Sequence, residues 1–187
     1  MKQILLICGS MRNGNCKTIL EDIQQKFWLN YSTELLYLRD YDITNCHGCM
    51  QCRNTDKNEC TKGDKVHLVI DKIMDSELVV LATPNYFYNV SGITKDFIDK
   101  TVPYYEKGTL KGKKFLFVYT GESTPDVTKS QLDQAIYGFV DCHNLENLGS
   151  FAYQTNSINE FANDSIREET TNNICDIIRQ QLKNLQS

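Results

Sequence analysis

Long apolar runs are missing from this chain, and no stretch of it approaches the length needed to span a bilayer. The apolar run at the amino terminus, Ile4 to Ile7, is too short for the core of a signal peptide and lacks a small-residue cleavage site, so a cytoplasmic protein is expected. An excess of either charge is missing too: 20 Lys and Arg face 24 Asp and Glu for a net charge of −4. The basic residues are scattered, which argues against a nucleic-acid or polyanion surface. Histidine is scarce, and His67 and His143 have no Ser, Cys or carboxylate arrangement around them that would suggest hydrolysis. With no internal repeat, low-complexity tract or linker, the 187 residues predict one domain, 1–187, large enough to bury a single core.

Cysteine, by contrast, is plentiful. Eight cysteines in a reducing compartment are thiols or ligands in preference to disulfides. Cys8 at a strand end reads as core packing, and Cys142 and Cys175 fall on helices without partner spacing. The remaining group is different. Cys46-His47-Gly48-Cys49-Met50-Gln51-Cys52 places three thiols at two successive x-x spacings, and Cys60 follows after seven residues. Such a loop, 46–60, can hold three corners of a cubane cluster with a fourth ligand from further along. It also suits structural zinc, or free thiols, and the spacing leaves all three open. His47 reads as a polar neighbour, not a ligand.

Strand-like runs recur at Ile4 to Ile7, Leu35 to Leu38, Leu78 to Ala82, Phe115 to Tyr119 and Leu148 to Tyr153. Between them, apolar residues repeat at helical spacing, as in Val66, Val69, Ile70, Ile73 and Met74, or Leu132, Ala135, Ile136, Phe139 and Val140. Ile174, Ile177, Ile178, Leu182 and Leu185 mark a closing helix, and Trp28 reads as packing near the end of the first. This alternation predicts an α/β domain with a mainly parallel sheet and helices on both faces. Ligands in such sheets sit beyond the carboxyl ends of the strands.

Three loops leave those ends with chemistry to offer. Gly9-Ser10-Met11-Arg12-Asn13-Gly14-Asn15-Cys16 joins the first strand to an amphipathic helix, and its donors, cationic fork and helix start suit a monophosphate. It is neither G-x-G-x-x-G nor a Walker A motif; an ordinary strand-to-helix turn is the alternative. Thr83-Pro84-Asn85-Tyr86-Phe87-Tyr88-Asn89-Val90-Ser91-Gly92 puts three aromatics after a buried strand, a wall for a planar ring or a cover for a subunit contact. Thr120-Gly121-Glu122-Ser123 is a flexible turn with exposed donors.

Together these segments resemble the flavodoxin-like NAD(P)H-dependent FMN reductase family and its relatives, the iron–sulfur flavoproteins. The resemblance rests on Gly9-Ser10-Met11-Arg12, on Thr83-Pro84-Asn85-Tyr86-Phe87, and on Ser91-Gly92 with Lys95-Asp96-Phe97-Ile98-Asp99. Met11 replaces the family's usual proline, and Cys16 stands where a hydroxyl is common. The resemblance implies a five-stranded flavodoxin-like sheet of order 2-1-3-4-5. It implies Ser10, Arg12, Asn13, Asn15 and Cys16 around an FMN phosphate, Pro84, Asn85, Tyr86, Phe87 and Tyr88 along the ring and ribityl chain, and Thr120, Gly121, Glu122 and Ser123 at the ring's other edge. It further implies NAD(P)H as co-substrate, a 4Fe–4S cluster on Cys46, Cys49, Cys52 and Cys60, a small-molecule or protein electron acceptor, and a homodimer or homotetramer. A non-catalytic flavodoxin-type carrier and a zinc-stapled interaction domain are the competing functions.

Overall fold

A computed structural model of the chain describes residues 3–54, 59–158 and 165–184. Five parallel strands form one sheet: β1 (Gln3–Cys8), β2 (Ser32–Tyr37), β3 (Leu78–Pro84), β4 (Lys114–Gly121) and β5 (Glu146–Gln154), in the order β2-β1-β3-β4-β5. Helices α1 (Asn15–Phe27), α2 (Val66–Asp75), α3 (Gly92–Asp99), α4 (Val102–Tyr105), α5 (Pro125–Cys142) and α6 (Ser165–Asn184) complete it. This is the expected doubly wound arrangement.

Why the central strands read as unbroken apolar runs is visible in the packing. Alternate residues face opposite sides, and both sides are covered. Leu5, Ile7, Val79, Leu81, Phe115 and Phe117 face α2, α3 and α5 through Val69, Ile73, Phe97, Leu132, Ile136 and Phe139. Ile4, Leu6, Val80, Leu116 and Val118 face α1 and α6 through Ile19, Leu20, Ile23, Phe27, Ile174 and Ile178. Every residue of β3 is buried.

Three local readings shift. Leu38 belongs to a 3-10 turn, Leu38–Tyr41, and not to β2, because β1 offers no partner beyond the Cys8 to Tyr37 pair. β5 starts earlier than Leu148, and a register shift between Phe115 and Phe117 near Gly149 (φ 115°) interrupts its alternation. Trp28 does not pack: it is the C-cap of α1 and is 66% exposed. Leu185 lies outside the described residues. Among the described residues, no helix is long and apolar enough to cross a membrane.

Candidate functional site

The strand order reverses at β1, so the crevice beyond its carboxyl end, between β1 and β3, is where a ligand fits. Gly9 makes the first turn there. Its amide donates to Ala82 O at 2.7 Å, and a Cβ on it would lie 2.0 Å from Thr94 Oγ1 and 3.1 Å from Ala82 O. Only glycine permits that approach. The Ser91 hydroxyl donates to the Gly9 carbonyl, and Thr94 Oγ1 lies 3.3 Å from the same oxygen and 3.1 Å from Thr83 Oγ1. Ser91 also caps α3, accepting the Thr94 amide. A buried hydroxyl cluster thus ties the first loop to the second.

Beyond Gly9, the buried Ser10 hydroxyl accepts the Arg12 amide at 3.3 Å and so tightens the loop. Helix α1 then begins at Asn15 after the N-cap Gly14, with no side chain capping it and no acid in its first turn. Its free amides and positive dipole end remain available to an anion. Asn15, 7% exposed, donates to Ser157 O at 2.8 Å, which fixes its orientation and leaves its buried Oδ1 without a partner among the described residues. Cys16 is buried with Sγ 3.4 Å from Thr120 Oγ1, and burial pushes its thiol up to about 12. It stays a neutral thiol at any physiological pH.

Asn13 faces another way. Its Oδ1 accepts from Arg39 Nη2 at 2.7 Å, while Arg39 Nη1 donates to Met11 O at 3.1 Å. Arg39 comes from the turn after β2 and lies over the Tyr37 ring. It braces the loop from outside, a role that no local sequence pattern marks.

The second loop continues from Pro84. Tyr86 and Asn89 exchange backbone hydrogen bonds of 2.9 and 3.1 Å around Phe87 (φ 51°) and Tyr88 (φ 64°). Two successive left-handed residues make this a tight hairpin turn that ordinarily takes Asn-Gly. Aromatics held there are strained, and Phe87 gains no burial in return, being fully exposed. The turn displays its rings at the rim instead of covering the sheet end.

Backbone hydrogen bonds extend the sheet past its strands and join the remaining loops: Asn85 N to Thr120 O at 2.7 Å, and Thr155 N to Gly121 O at 2.7 Å. Gly121 allows the fit, since a Cβ there would lie 2.9 Å from Asn85 Cβ. The result is one cavity of about 620 Å³. All the residues expected to hold FMN line it except Asn13: Ser10, Arg12, Asn15, Cys16, Pro84, Asn85, Tyr86, Phe87, Tyr88, Thr120, Gly121, Glu122 and Ser123. Thr155, Asn156, Ser157 and Ile158, after β5, close the wall. Sequence reasoning missed that last loop, although the strand-end rule pointed to it.

A second centre lies at the other end of α3. Cys46, Cys49, Cys52 and Cys60 line one small pocket of about 40 Å³ with Lys100, Val102 and Pro103. Cys52 and Cys60 are half-buried; Cys46 and Cys49 are exposed. Among the described residues, no three His, Cys, Asp or Glu side chains are gathered tightly enough for a single metal ion. Lys100, the C-cap of α3, is buried and donates to Asp64 Oδ2 at 2.6 Å, Thr44 Oγ1 at 3.1 Å and Cys60 Sγ at 3.2 Å. Burial opposes its charge, but the bonds to Asp64 and Cys60 prevail and hold its pKa above the ordinary lysine value. His47 lines the pocket; the two other histidines lie elsewhere, His143 being buried 2.8 Å from Thr101 Oγ1.

Comparison with known proteins agrees with this geometry. The chain is 35% identical over 100 residues to an iron–sulfur flavoprotein of Archaeoglobus fulgidus, a match covering 53% of this chain and 48% of that protein. A second from that organism is 27% identical over 139 residues (73% and 62%), and one from Methanosarcina thermophila is 23% identical over 189 residues (95% and 96%). The chain thus spans about half and about three-fifths of the length of the two Archaeoglobus relatives. Its fold is shared with the Trp repressor binding protein of Bacillus subtilis (TM-score 0.65, 18% identity, 90% of this chain and 94% of that one). It is shared also with general stress protein 14 of Treponema denticola, solved in complex with FMN (TM-score 0.58, 12% identity, 97% and 98%). A sequence model of the NADPH-dependent FMN reductases matches residues 2–155, and the chain belongs to that family of flavin-dependent oxidoreductases.

Proposed function

We propose that this chain binds FMN in the 620 Å³ cavity, that the flavin would accept hydride from NAD(P)H, and that a 4Fe–4S cluster on its cysteine loop would pass the two electrons on singly to an acceptor, the proton leaving to solvent. The observation that carries the flavin part is the convergence of the loops after β1, β3, β4 and β5 on one cavity of ligand size. The residues present fit the cofactor. At one end stand the uncapped start of α1, Ser10 and the Arg12 fork, suited to a phosphate dianion. At the other end stand Tyr86, Phe87 and Tyr88, flat faces for a planar ring. Two buried carbonyl oxygens of cavity-lining residues, Asn15 Oδ1 and Asn85 Oδ1, have no donor among the described residues, and hydroxyl or ring N–H groups of a ligand would satisfy them.

When bound, FMN would supply hydride acceptance and one- or two-electron release. The chain's part is to bind and orient. Its neutral Cys16 thiol contributes neither a charge nor a nucleophile, and the dry hydroxyl cluster of Thr83, Ser91 and Thr94 keeps the two ligand loops in register.

The cluster part rests on different support. Four thiols and no carboxylate among the loop ligands, gathered around one pocket, suit iron–sulfur chemistry, and the matching archaeal relatives are named iron–sulfur flavoproteins. Helix α3 runs from Ser91, which holds the Gly9 loop, to Lys100, which holds the cysteine loop, so about 13 Å of helix rise separates these two anchoring residues. The same reading includes a cytoplasmic homodimer or homotetramer.

Anaerobic mixing of the FMN-loaded chain with NADPH or NADH tests the assignment. Loss of the flavin absorbance with either nucleotide, and reoxidation by a quinone or ferric acceptor, is the expected result. Flavin that binds tightly yet is reduced by neither nucleotide would instead make the chain an electron carrier.

A further inference from the structure

Lys100 is an unusual lysine. Its side chain is 2% exposed, as is that of its partner Asp64. A buried pair of this kind is seldom retained for stability alone, because desolvation offsets most of its attraction. Here the ammonium has a second and a third partner, Cys60 Sγ at 3.2 Å and Thr44 Oγ1 at 3.1 Å. Thr44 precedes the first cysteine of the loop and Cys60 is its last, so one Nζ spans the whole motif. Asp64 in turn accepts the Val66 amide at 3.1 Å, which anchors the cluster of contacts to the start of α2. Of the other charged groups lining the pocket, Asp99 is ion-paired with Lys95, and Lys62 is exposed.

The geometry points to Lys100 as a positioning residue of the cysteine centre, one that fixes Cys60 as a ligand and raises the reduction potential of the cluster through an N–H···S bond. This rests on the iron–sulfur reading given above. The physics is direct. Reduction adds one electron and makes a thiolate-bound cluster more negative; a buried cation donating to a ligand sulfur favours that state, and hydrogen bonds to sulfur are an established lever on cluster potential. Screening is weak because the pair is buried. Asp64 acts in the opposite sense, so the two partners of one ion pair carry opposite signs.

That opposition supplies the test. The full chain, wild type and the variants Lys100→Met, Lys100→Arg and Asp64→Asn, is loaded anaerobically with iron, sulfide and FMN. Iron and sulfide per chain are measured, then the one-electron midpoint potential by mediated titration with electron paramagnetic resonance. Lys100→Met is expected to shift the oxidised-to-reduced ratio at fixed potential at least tenfold towards oxidised, about 59 mV for one electron. Asp64→Asn is expected to shift it towards reduced, and Lys100→Arg to stay near wild type. A Lys100→Met chain that loses its iron while Lys100→Arg keeps it supports the same role. Full iron with an unmoved potential, or shifts of one sign in both Lys100→Met and Asp64→Asn, would overturn it.

Amide hydrogen exchange of the metal-free chain gives an independent readout. Residues 59–65 should exchange faster in Lys100→Met and at the wild-type rate in Lys100→Arg; equal exchange in all three overturns the anchoring role. If the wild type takes up no iron, it is the cluster reading that fails, and the exchange experiment still decides whether Lys100 holds the loop.

Discussion

Replacing Gly9 by alanine tests the hydroxyl cluster that joins the two ligand loops. The added methyl would sit 2.0 Å from Thr94 Oγ1, so Thr94 must move and surrender its contacts with Gly9 O, Ser91 and Thr83. Overpacking of about 1–3 kcal/mol, with three buried hydrogen bonds of about 0.5–1.5 kcal/mol each, gives a total of about 2.5–7.5 kcal/mol. In a Thr94→Ala background the clashing oxygen is gone, leaving Thr94 Cβ at 3.4 Å and Ala82 O at 3.1 Å from the new methyl. The same Gly9→Ala change should then cost only about 1–2 kcal/mol, a non-additivity of the size expected for residues in contact. Urea unfolding of the flavin-free chain, followed by circular dichroism in both backgrounds, measures it. An equal cost in the two backgrounds would refute the claim that Gly9 and Thr94 are in contact.

Three further outcomes follow from the same structure. Arg12→Ala removes a charge-assisted donor from the phosphate end and should raise the FMN dissociation constant about ten- to a hundredfold, read by fluorescence titration; unchanged affinity removes Arg12 from that role. Phe87→Gly relieves left-handed strain of about 1–2 kcal/mol against about 0.5–1 kcal/mol of added chain entropy, so thermal unfolding of the flavin-free chain should move up by about 1–4 °C, whereas a fall would mean that Phe87 is packed. Burial holds the His143 pKa below its ordinary value of 6.5, so its contribution is fully present above pH 6.5 and is lost as pH falls from there through the folded value. His143→Gln should flatten the stability profile in that window; an unchanged slope assigns the pH dependence elsewhere.

What the sequence showed and what it hid have physical reasons. β3 was legible because a strand covered on both faces carries an unbroken apolar run, and the turn at Gly9 was legible because its close approach to Thr94 and Ala82 admits only glycine. β5 was blurred because it is half-exposed and its register slips near Gly149, which breaks the period-two pattern. Arg39 and Lys100 were hidden for another reason. Each acts on a residue far along the chain, Met11 at 28 positions and Cys60 at 40, and a single cation carries no local pattern. The loop from Thr155 to Ile158 escaped notice because its small polar residues resemble any turn; only its place after β5 gives it meaning. Asn13 looked like a ligand donor and serves as a brace, a distinction that only the Arg39 contact makes.

The most direct measurement is a titration of the purified full chain with FMN, following the quenching of flavin fluorescence under anaerobic conditions. Loops that meet around one cavity predict saturable binding of one FMN per chain, weakened by Arg12→Ala and by Gly9→Ala. No saturation up to millimolar FMN would contradict the account at its centre.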